Sequence, residues 1–123
     1  MANVVITGGS RGIGKAAVEL FAARGDRVYF LYEKEHEQAA AVASRTGAVA
    51  LCCDVANRQA VFSTFESIPD VDILICNAGI MHFGLLSSME EAAWDRIFDV
   101  NVKGIYNCVC AAMPAFLQKQ KGS

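Results

Sequence analysis

A glycine-rich run near the start of the chain has the residue types and the spacing that bind a phosphate group. The run reads Thr7-Gly8-Gly9-Ser10-Arg11-Gly12-Ile13-Gly14. Gly8 allows a tight turn out of a strand, Gly12 allows close approach to a pyrophosphate, and Gly14 allows the next helix to pack on a sheet. The N-terminus of that helix would offer unpaired N–H groups and a partial positive charge to the anion. Glycine also suits an ordinary strand-to-helix turn, but the strand before the run and the helix after it favour a dinucleotide site.

The elements that must position this turn alternate between strand and helix along the whole chain. Apolar runs predict strands over residues 3–7, 27–32, 48–53 and 71–76, and helical periodicity predicts helices over 12–24, 36–45 and 101–120. Two more helices are predicted after the N-caps Asn57 and Ser88. The first helix is predicted to bury one face, formed by Ile13, Ala16, Ala17, Leu20 and Phe21. Short connections imply right-handed crossovers, so the expected fold is α/β: a Rossmann-type doubly wound parallel sheet of about four strands with helices on both faces.

Composition limits the class of protein and the kinds of partner. A length of 123 residues suits one domain, and 54% hydrophobic with 20% charged residues argues against disorder. The formal charge of −2 provides no basic footprint, so we expect neither nucleic acid nor membrane as a partner. The five cysteines have no Cys-x-x-Cys spacing and are expected to be reduced, mostly buried thiols rather than metal ligands. No apolar run approaches the about 18 residues of a membrane span, and no signal peptide is evident. We therefore expect a cytoplasmic protein.

Four motifs, in order along the chain, resemble those of the short-chain dehydrogenase/reductase family. The family's Thr-Gly-x-x-x-Gly-x-Gly pattern is matched by the run from Thr7 to Gly14. Asp54, followed by Val55, corresponds to the acid after the third strand. Asn77-Ala78-Gly79 matches the turn after the fourth strand, and Asn101-Val102-Lys103-Gly104 matches a helical motif. Within the family, the likeness is greatest to 3-oxoacyl-carrier-protein reductases and related carbonyl/alcohol enzymes.

The resemblance implies a nicotinamide dinucleotide cofactor and a role for each matched residue. Asp54 and Val55 would contact the adenine, although Asp54 could instead only cap a turn. Asn77, Ala78 and Gly79 would brace the sheet and line the nicotinamide side of the cleft. Asn101 would be the catalytic asparagine, which in the family binds a water that relays protons to a lysine. These 123 residues contain no Tyr-x-x-x-Lys to provide that lysine, so the role of Asn101 here is structural by default.

The choice between NADP and NAD depends on the end of the second strand. An acidic residue there would bind the ribose 2′-hydroxyl and select NAD. The position falls near Tyr32, which is not acidic, and Arg11 could contact a 2′-phosphate. Glu33 and Glu35 argue for NAD, although Lys34 lies between them. We expect NADP or NAD, with NADP favoured.

The family's proton-transfer residues have no counterpart in these 123 residues. By the resemblance, family members run to about 250 residues, and their catalytic Ser and Tyr-x-x-x-Lys follow the fifth strand. We expect the residues from Lys121 to Ser123 to be the approach to that strand. No Tyr here precedes a Lys by four residues, and Lys103 with Tyr106 is a poor substitute. The chain is thus expected to be a truncated dinucleotide-binding domain over residues 1–123 that is inactive alone. It could be a fragment of a reductase or a stand-alone, non-catalytic module acting as a sensor or partner subunit, and an unrelated chemistry has no supporting residues.

The long helix that begins near Asn101 carries an apolar stripe. The stripe consists of Ile105, Val109, Ala112, Met113 and Phe116. Part of it should cover this chain's own sheet, and the rest should be exposed. In the family this helix pairs across a dimer interface, so we expect self-association, as a homodimer through this helix.

Overall fold

The fold is built on a parallel sheet in which the first strand has neighbouring strands on both sides. The computed structural model describes all 123 residues. The strands β1 (Asn3–Thr7), β2 (Arg27–Tyr32), β3 (Val49–Cys52) and β4 (Ile73–Ile75) lie in the order β3-β2-β1-β4, all parallel. The helices are α1 (Gly12–Ala23), α2 (His36–Thr46), α3 (Arg58–Glu66), α4 (Glu91–Phe98) and α5 (Gly104–Lys119).

Alternation along β1 divides the hydrophobic core into two halves. Val4 and Ile6 pack with residues of α1 and α2, including Val18 and Val42. Val5 lies on the opposite face, in a core shared with residues of α3 and α5. Because successive side chains of a strand point to opposite faces, one buried strand supports helices on both sides of the sheet. This arrangement confirms the predicted Rossmann-type doubly wound α/β fold.

The predicted buried face of α1 is only partly correct, because Ala17 and Phe21 pack against the core but Ile13, Ala16 and Leu20 are exposed. Ile13 is 82% exposed and Leu20 is 61% exposed, whereas Gly14 and Val18 are the buried residues of this helix. The helix is rotated because Gly14 lies against the turn that leaves β1, which directs Gly14 and Val18 toward the sheet. Ile13 and Leu20, two turns apart, therefore share the solvent face.

Several predicted element ends also differ from the structure. The strands β3 and β4 are shorter than the apolar runs that predicted them, because Ala48, Cys53 and the flanks of β4 lie outside the paired registers. Asn57 is confirmed as an N-cap, since its side chain accepts a hydrogen bond from the N–H of Ala60. Ser88 is not a cap: it ends a short 3₁₀ turn, and α4 begins three residues later with only backbone hydrogen bonds to Glu90.

The long C-terminal helix begins earlier than predicted. Helical structure runs from Glu91 to Lys119, and one widened π turn (Asp99–Lys103) joins α4 to α5. Over 29 residues, with a mean hydropathy of 1.2 in an 18-residue window, this segment meets the length and composition of a membrane span. The sequence prediction considered only uninterrupted apolar runs, and a helical window tolerates scattered polar residues. A single helix of this kind is weak evidence for a span, because a helix packed on a sheet passes the same test.

The side chain of Asp72 ties three parts of the chain together at the start of β4. One carboxylate oxygen accepts a 2.8 Å hydrogen bond from the N–H of Asn3, and the other accepts a 2.6 Å bond from Lys119 Nζ at the end of α5. Ser123 pairs with the same edge, since its N–H donates to the carbonyl of Asp72 and its carbonyl accepts from the N–H of Leu74. Ser123 therefore lies beside the start of β4, which is consistent with the predicted approach of residues 121–123 to a further strand.

We predict that Asp72→Asn lowers the free energy of unfolding by about 1 kcal/mol at neutral pH, because a charged acceptor of two hydrogen bonds is lost. The N–H of Asn3 and the ammonium of Lys119 lower the pKa of Asp72 below its ordinary 3.8. Stability from a lowered carboxyl pKa is present above the unfolded-state pKa and is lost as pH falls through the folded-state pKa. The deficit of the variant, measured by urea unfolding, should therefore shrink below about pH 3.8.

Asp70→Asn is the matched control, because the hydrogen bonds at that residue use its backbone carbonyl. It should unfold like the wild type throughout. An Asp72→Asn deficit that is independent of pH would contradict the account.

Candidate cofactor-binding cleft

A cleft of about 260 Å³ opens at the carboxyl ends of the four strands. Ligands of open α/β sheets bind at this edge, where the strand order reverses. The lining comes from the turn after β1 and from the segments that follow β2, β3 and β4, together with Val100 of the π turn. The topology thus brings residues that are distant in the sequence to one site.

The turn after β1 has the conformation that its glycines predicted. Gly8 and Gly12 have φ of 71° and 59°, in the left-handed region that glycine adopts most easily. At Gly14, a Cβ atom would lie 2.0 Å from the carbonyl oxygen of Gly8, so only glycine allows this contact. Arg11 occupies the N-cap of α1 without a capping side-chain hydrogen bond, and the first helical bond runs from Lys15 to Arg11. The N–H groups of the first turn therefore remain available to an anion.

Two side chains, each hydrogen-bonded to backbone groups of the opposite turn, join the ends of β1 and β4. The hydroxyl of Thr7 accepts from the N–H groups of Asn77 and Ala78, each at 2.9 Å. In return, Asn77 Nδ2 donates to the carbonyls of Thr7 and Gly8, both at 3.1 Å. Thr7 and Asn77 thereby hold the glycine turn and the Asn77-Ala78-Gly79 turn at a fixed separation.

Asn101, in the π turn, fixes the segment that follows β4. Its Oδ1 accepts from the N–H of Ile80 and its Nδ2 donates to the carbonyl of Ile80, both at 2.8 Å. Both hydrogen-bonding groups of the amide are therefore used by one backbone unit. This geometry gives Asn101 a positioning contact in the chain as it stands, and Asn101 does not line the cleft.

The helix α5 fixes the segment that follows β3. Asn107 is fully buried, and its Nδ2 donates to the carbonyl of Val55 at 2.9 Å. Gly104 leaves room for the same residue, because a Cβ atom there would lie 2.7 Å from a methyl group of Val55. Sequence reasoning missed Asn107, although an asparagine within an apolar helical stripe was a signal for a buried hydrogen bond.

Charged side chains form two ion-pair groups at the cleft. Arg11 contacts Glu35 at 3.3 Å. Arg96 of α4 contacts Glu33 and Asp54, each at 3.0 Å, and all three side chains are about one-third exposed. The hydrogen bond to Asp54 raises the pKa of Arg96, so its guanidinium stays charged.

Most of the predicted cofactor-binding residues line the cleft. The lining includes Gly8, Ser10, Arg11, Gly12, Tyr32, Asp54, Val55, Asn77, Ala78 and Gly79. Thr7 and Gly14 lie behind the surface and shape it, and the side chain of Ile13 points to solvent. Sequence reasoning did not assign Leu31, Cys53, Ile80 and Val100 to the cleft, and it weighed Glu33 and Glu35 only as counter-evidence on cofactor choice.

The carboxylate of Asp54 is engaged by protein groups on both oxygens. Oδ1 accepts from the N–H of Ala56 at 3.0 Å, and Oδ2 accepts from Arg96. The turn-capping alternative for Asp54 is therefore present in the structure, alongside its position in the cleft wall.

The suggested substitute pair, Lys103 and Tyr106, lies away from the cleft, and one cysteine differs from its predicted burial. Neither Lys103 nor Tyr106 lines the cleft, and the ring of Tyr106 lies 5.0 Å from the guanidinium of Arg58. Cys52 is exposed rather than buried, and its thiol donates to the carbonyl of Glu33. Burial raises the pKa of Cys108 to about 12, which makes this thiol a poor nucleophile.

A family model described as short chain dehydrogenase matches residues 2–123 of the chain. A 3-oxoacyl-[acyl-carrier-protein] reductase, FabG, of Staphylococcus aureus is 32% identical over 130 residues, which cover 98% of this chain and 53% of that protein. The chain therefore spans about half the length of this curated relative.

Solved structures with the same fold include two with a bound dinucleotide. The structure of BdcA in complex with NADPH is 38% identical with a TM-score of 0.87, covering 90% of this chain and 46% of that one. A short chain dehydrogenase from Burkholderia cenocepacia in complex with NADP is 34% identical with a TM-score of 0.87, covering 92% and 50%.

We predict that Asn77→Asp destabilises the chain by about 1–3 kcal/mol, because a carboxylate would face the carbonyls of Thr7 and Gly8 in place of their donor. Thermal or urea unfolding measures this loss. Asn57→Asp is the matched control, because Asn57 uses its oxygen to accept from the N–H of Ala60 and a carboxylate can do the same. Equal losses in the two variants would contradict the role given to Asn77.

Proposed function

Because the chain belongs to the short-chain dehydrogenase/reductase family, we propose that its cleft binds a nicotinamide dinucleotide, with NADP preferred to NAD. The observation that carries the proposal is the uncapped N-terminus of α1, which opens on the cleft directly behind the glycine turn. The N–H groups of Gly12, Ile13 and Gly14 would hold the pyrophosphate, although the side chain of Ile13 takes no part. Ser10, buried beside the turn, would lie next to the same group.

The two ends of the cofactor would lie on either side of the glycine turn. Tyr32, Asp54 and Val55, from the ends of β2 and β3, would border the adenosine. Asn77, Ala78 and Gly79 would border the nicotinamide, held by Thr7 on one side and by the Asn101–Ile80 contact on the other. The chain would therefore orient the dinucleotide across the strand order reversal.

Arg11 supports the preference for NADP. Its side chain is 71% exposed at the cleft, so it can turn toward a 2′-phosphate from its present contact with Glu35. The solved relatives in complex with NADPH and with NADP are consistent with this preference.

The family reaction is hydride transfer between a nicotinamide cofactor and a carbonyl or alcohol substrate. When bound, the reduced nicotinamide supplies the hydride, and a general acid must supply the proton to the carbonyl oxygen. In these 123 residues no Tyr precedes a Lys by four positions, and Asn101 has no such lysine to serve. This polypeptide alone would bind the cofactor with little or no turnover. Binding without turnover would also suit a stand-alone module that acts as a sensor or partner subunit.

We also propose that the chain self-associates as a homodimer through its C-terminal helix. Its proposed location is the cytoplasm. Ala112 is buried, but Ile105, Val109 and Met113 remain about 40% exposed along one side of α5. Contiguous exposed apolar surface marks interaction sites, which supports an interface along this side of α5.

We expect fluorescence titration to show that the chain binds NADPH more tightly than NADH at one fixed salt concentration. Arg11→Gln should weaken NADPH binding by about tenfold and change NADH binding less, because it removes one charge facing the 2′-phosphate. Lys15→Gln removes an equal charge from α1 outside the cleft lining and is the matched control.

A steady-state assay with small ketones, quinones and acetoacetyl thioesters should show no turnover. Failure to bind either cofactor, or turnover that follows the purified protein, would contradict the proposal.

We expect sedimentation at tens of micromolar to show a dimer, and Val109→Lys to shift it toward monomer because a charge would enter the apolar stripe. Leu20→Lys, on the exposed face of α1, places the same charge elsewhere and should leave association unchanged. A monodisperse wild-type monomer would contradict the dimer.

A further inference from the structure

Arg96 holds both acidic side chains that follow β2 and β3 at the adenosine end of the cleft. Its Nη2 lies 3.0 Å from Glu33 Oε1, and its Nη1 lies 3.0 Å from Asp54 Oδ2. Glu33 and Asp54 line the cleft, whereas Arg96 lies behind them on α4. One guanidinium fork thus binds residues from two strand ends across the width of the site.

Whether the carboxylate of Glu33 is free or paired would decide whether the cleft prefers NAD or NADP. Glu33 directly follows Tyr32, at the end of β2, where a free carboxylate would accept from a ribose 2′-hydroxyl and repel a 2′-phosphate. In the structure this carboxylate is paired with Arg96 instead. Asp54 keeps the guanidinium in place, because its other oxygen is fixed by the N–H of Ala56.

We propose that Arg96 is a specificity-determining residue that favours NADP over NAD, by sequestering Glu33 and neutralising the acidic strand ends of the cleft. This inference rests on the proposed function, since it concerns cofactor choice at the same site. Arg11 and Arg96 face three carboxylates here, those of Glu33, Glu35 and Asp54. Without Arg96, one arginine would face all three, and a phosphate of about two negative charges would be repelled.

The partial exposure of Arg96, Glu33 and Asp54 limits how far Arg96 can change the ratio of the two cofactor affinities. An isolated pair about one-third exposed contributes little, but a fork bound to two carboxylates, one of which is also held by the N–H of Ala56, forms a network. We therefore expect a change of about tenfold in the ratio of cofactor affinities, which corresponds to about 1.4 kcal/mol.

The test is the ratio of the dissociation constants of NADPH and NADH in charge variants of this network. Arg96→Gln should raise the NADPH dissociation constant by about tenfold and leave that of NADH unchanged or lower, because Glu33 becomes free for the 2′-hydroxyl. Glu33→Gln should move the ratio in the opposite direction, because Arg96 then keeps only Asp54 as a carboxylate partner and presents more positive charge to the 2′-phosphate. The double variant should return toward the wild-type ratio, since the acid that Arg96 sequesters is gone.

Arg45→Gln is the matched control. Arg45 pairs with Glu19 on the outer surface of α2 and α1, and neither residue lines the cleft. Its removal changes the net charge equally and should leave the ratio unchanged.

The outcomes separate this inference from the proposed function. If the wild type binds the cofactors but Arg96→Gln keeps its ratio, Arg96 does not determine specificity, and the inference alone is overturned. If Arg96→Gln fails to fold, an unchanged ratio in Glu33→Gln overturns it in the same way. If the wild type binds neither cofactor, the proposed function itself is wrong and the inference falls with it.

Discussion

The close approach of α1 to the end of β1 is the constraint on which the rest of the cleft depends. Gly14 lies so near the carbonyl of Gly8 that any side chain would collide with it. This contact aims the N-terminus of α1 at the carboxyl edge of the sheet, and it rotates the helix so that Val18 is buried. The helix–sheet interface, and with it the proposed anion site, therefore depends on the absence of one methyl group.

The other walls of the cleft are held by polar side chains that satisfy backbone groups. Thr7 and Asn77 join the turns after β1 and β4, and Asn101 binds the backbone of Ile80. Asn107 binds the carbonyl of Val55 after β3. The π turn and α5 thus hold two loops in place, and the fully buried amide of Asn107 is costly to lose because its backbone partner would remain unsatisfied.

The sequence predicted the parallel sheet and most of the cleft, because local patterns carry that information. The apolar runs, the glycine spacing and the family motifs depend on residues close together in the chain. The rotation of α1 could not be read from helical periodicity, since Ile13 and Val18 are equally apolar and only the Gly14 contact decides between faces. The Arg96 network was missed for a related reason: its partners come from two other elements, at sequence separations of 42 and 63 residues.

The central claim is that this chain holds a nicotinamide dinucleotide at the N-terminus of α1, and a crystal structure of the chain with NADPH tests it most directly. The account predicts pyrophosphate density within hydrogen-bond distance of the N–H groups of Gly12, Ile13 and Gly14, with the nicotinamide toward Asn77 to Gly79. Dinucleotide density bound elsewhere, or an empty cleft in crystals soaked at saturating NADPH, would contradict it.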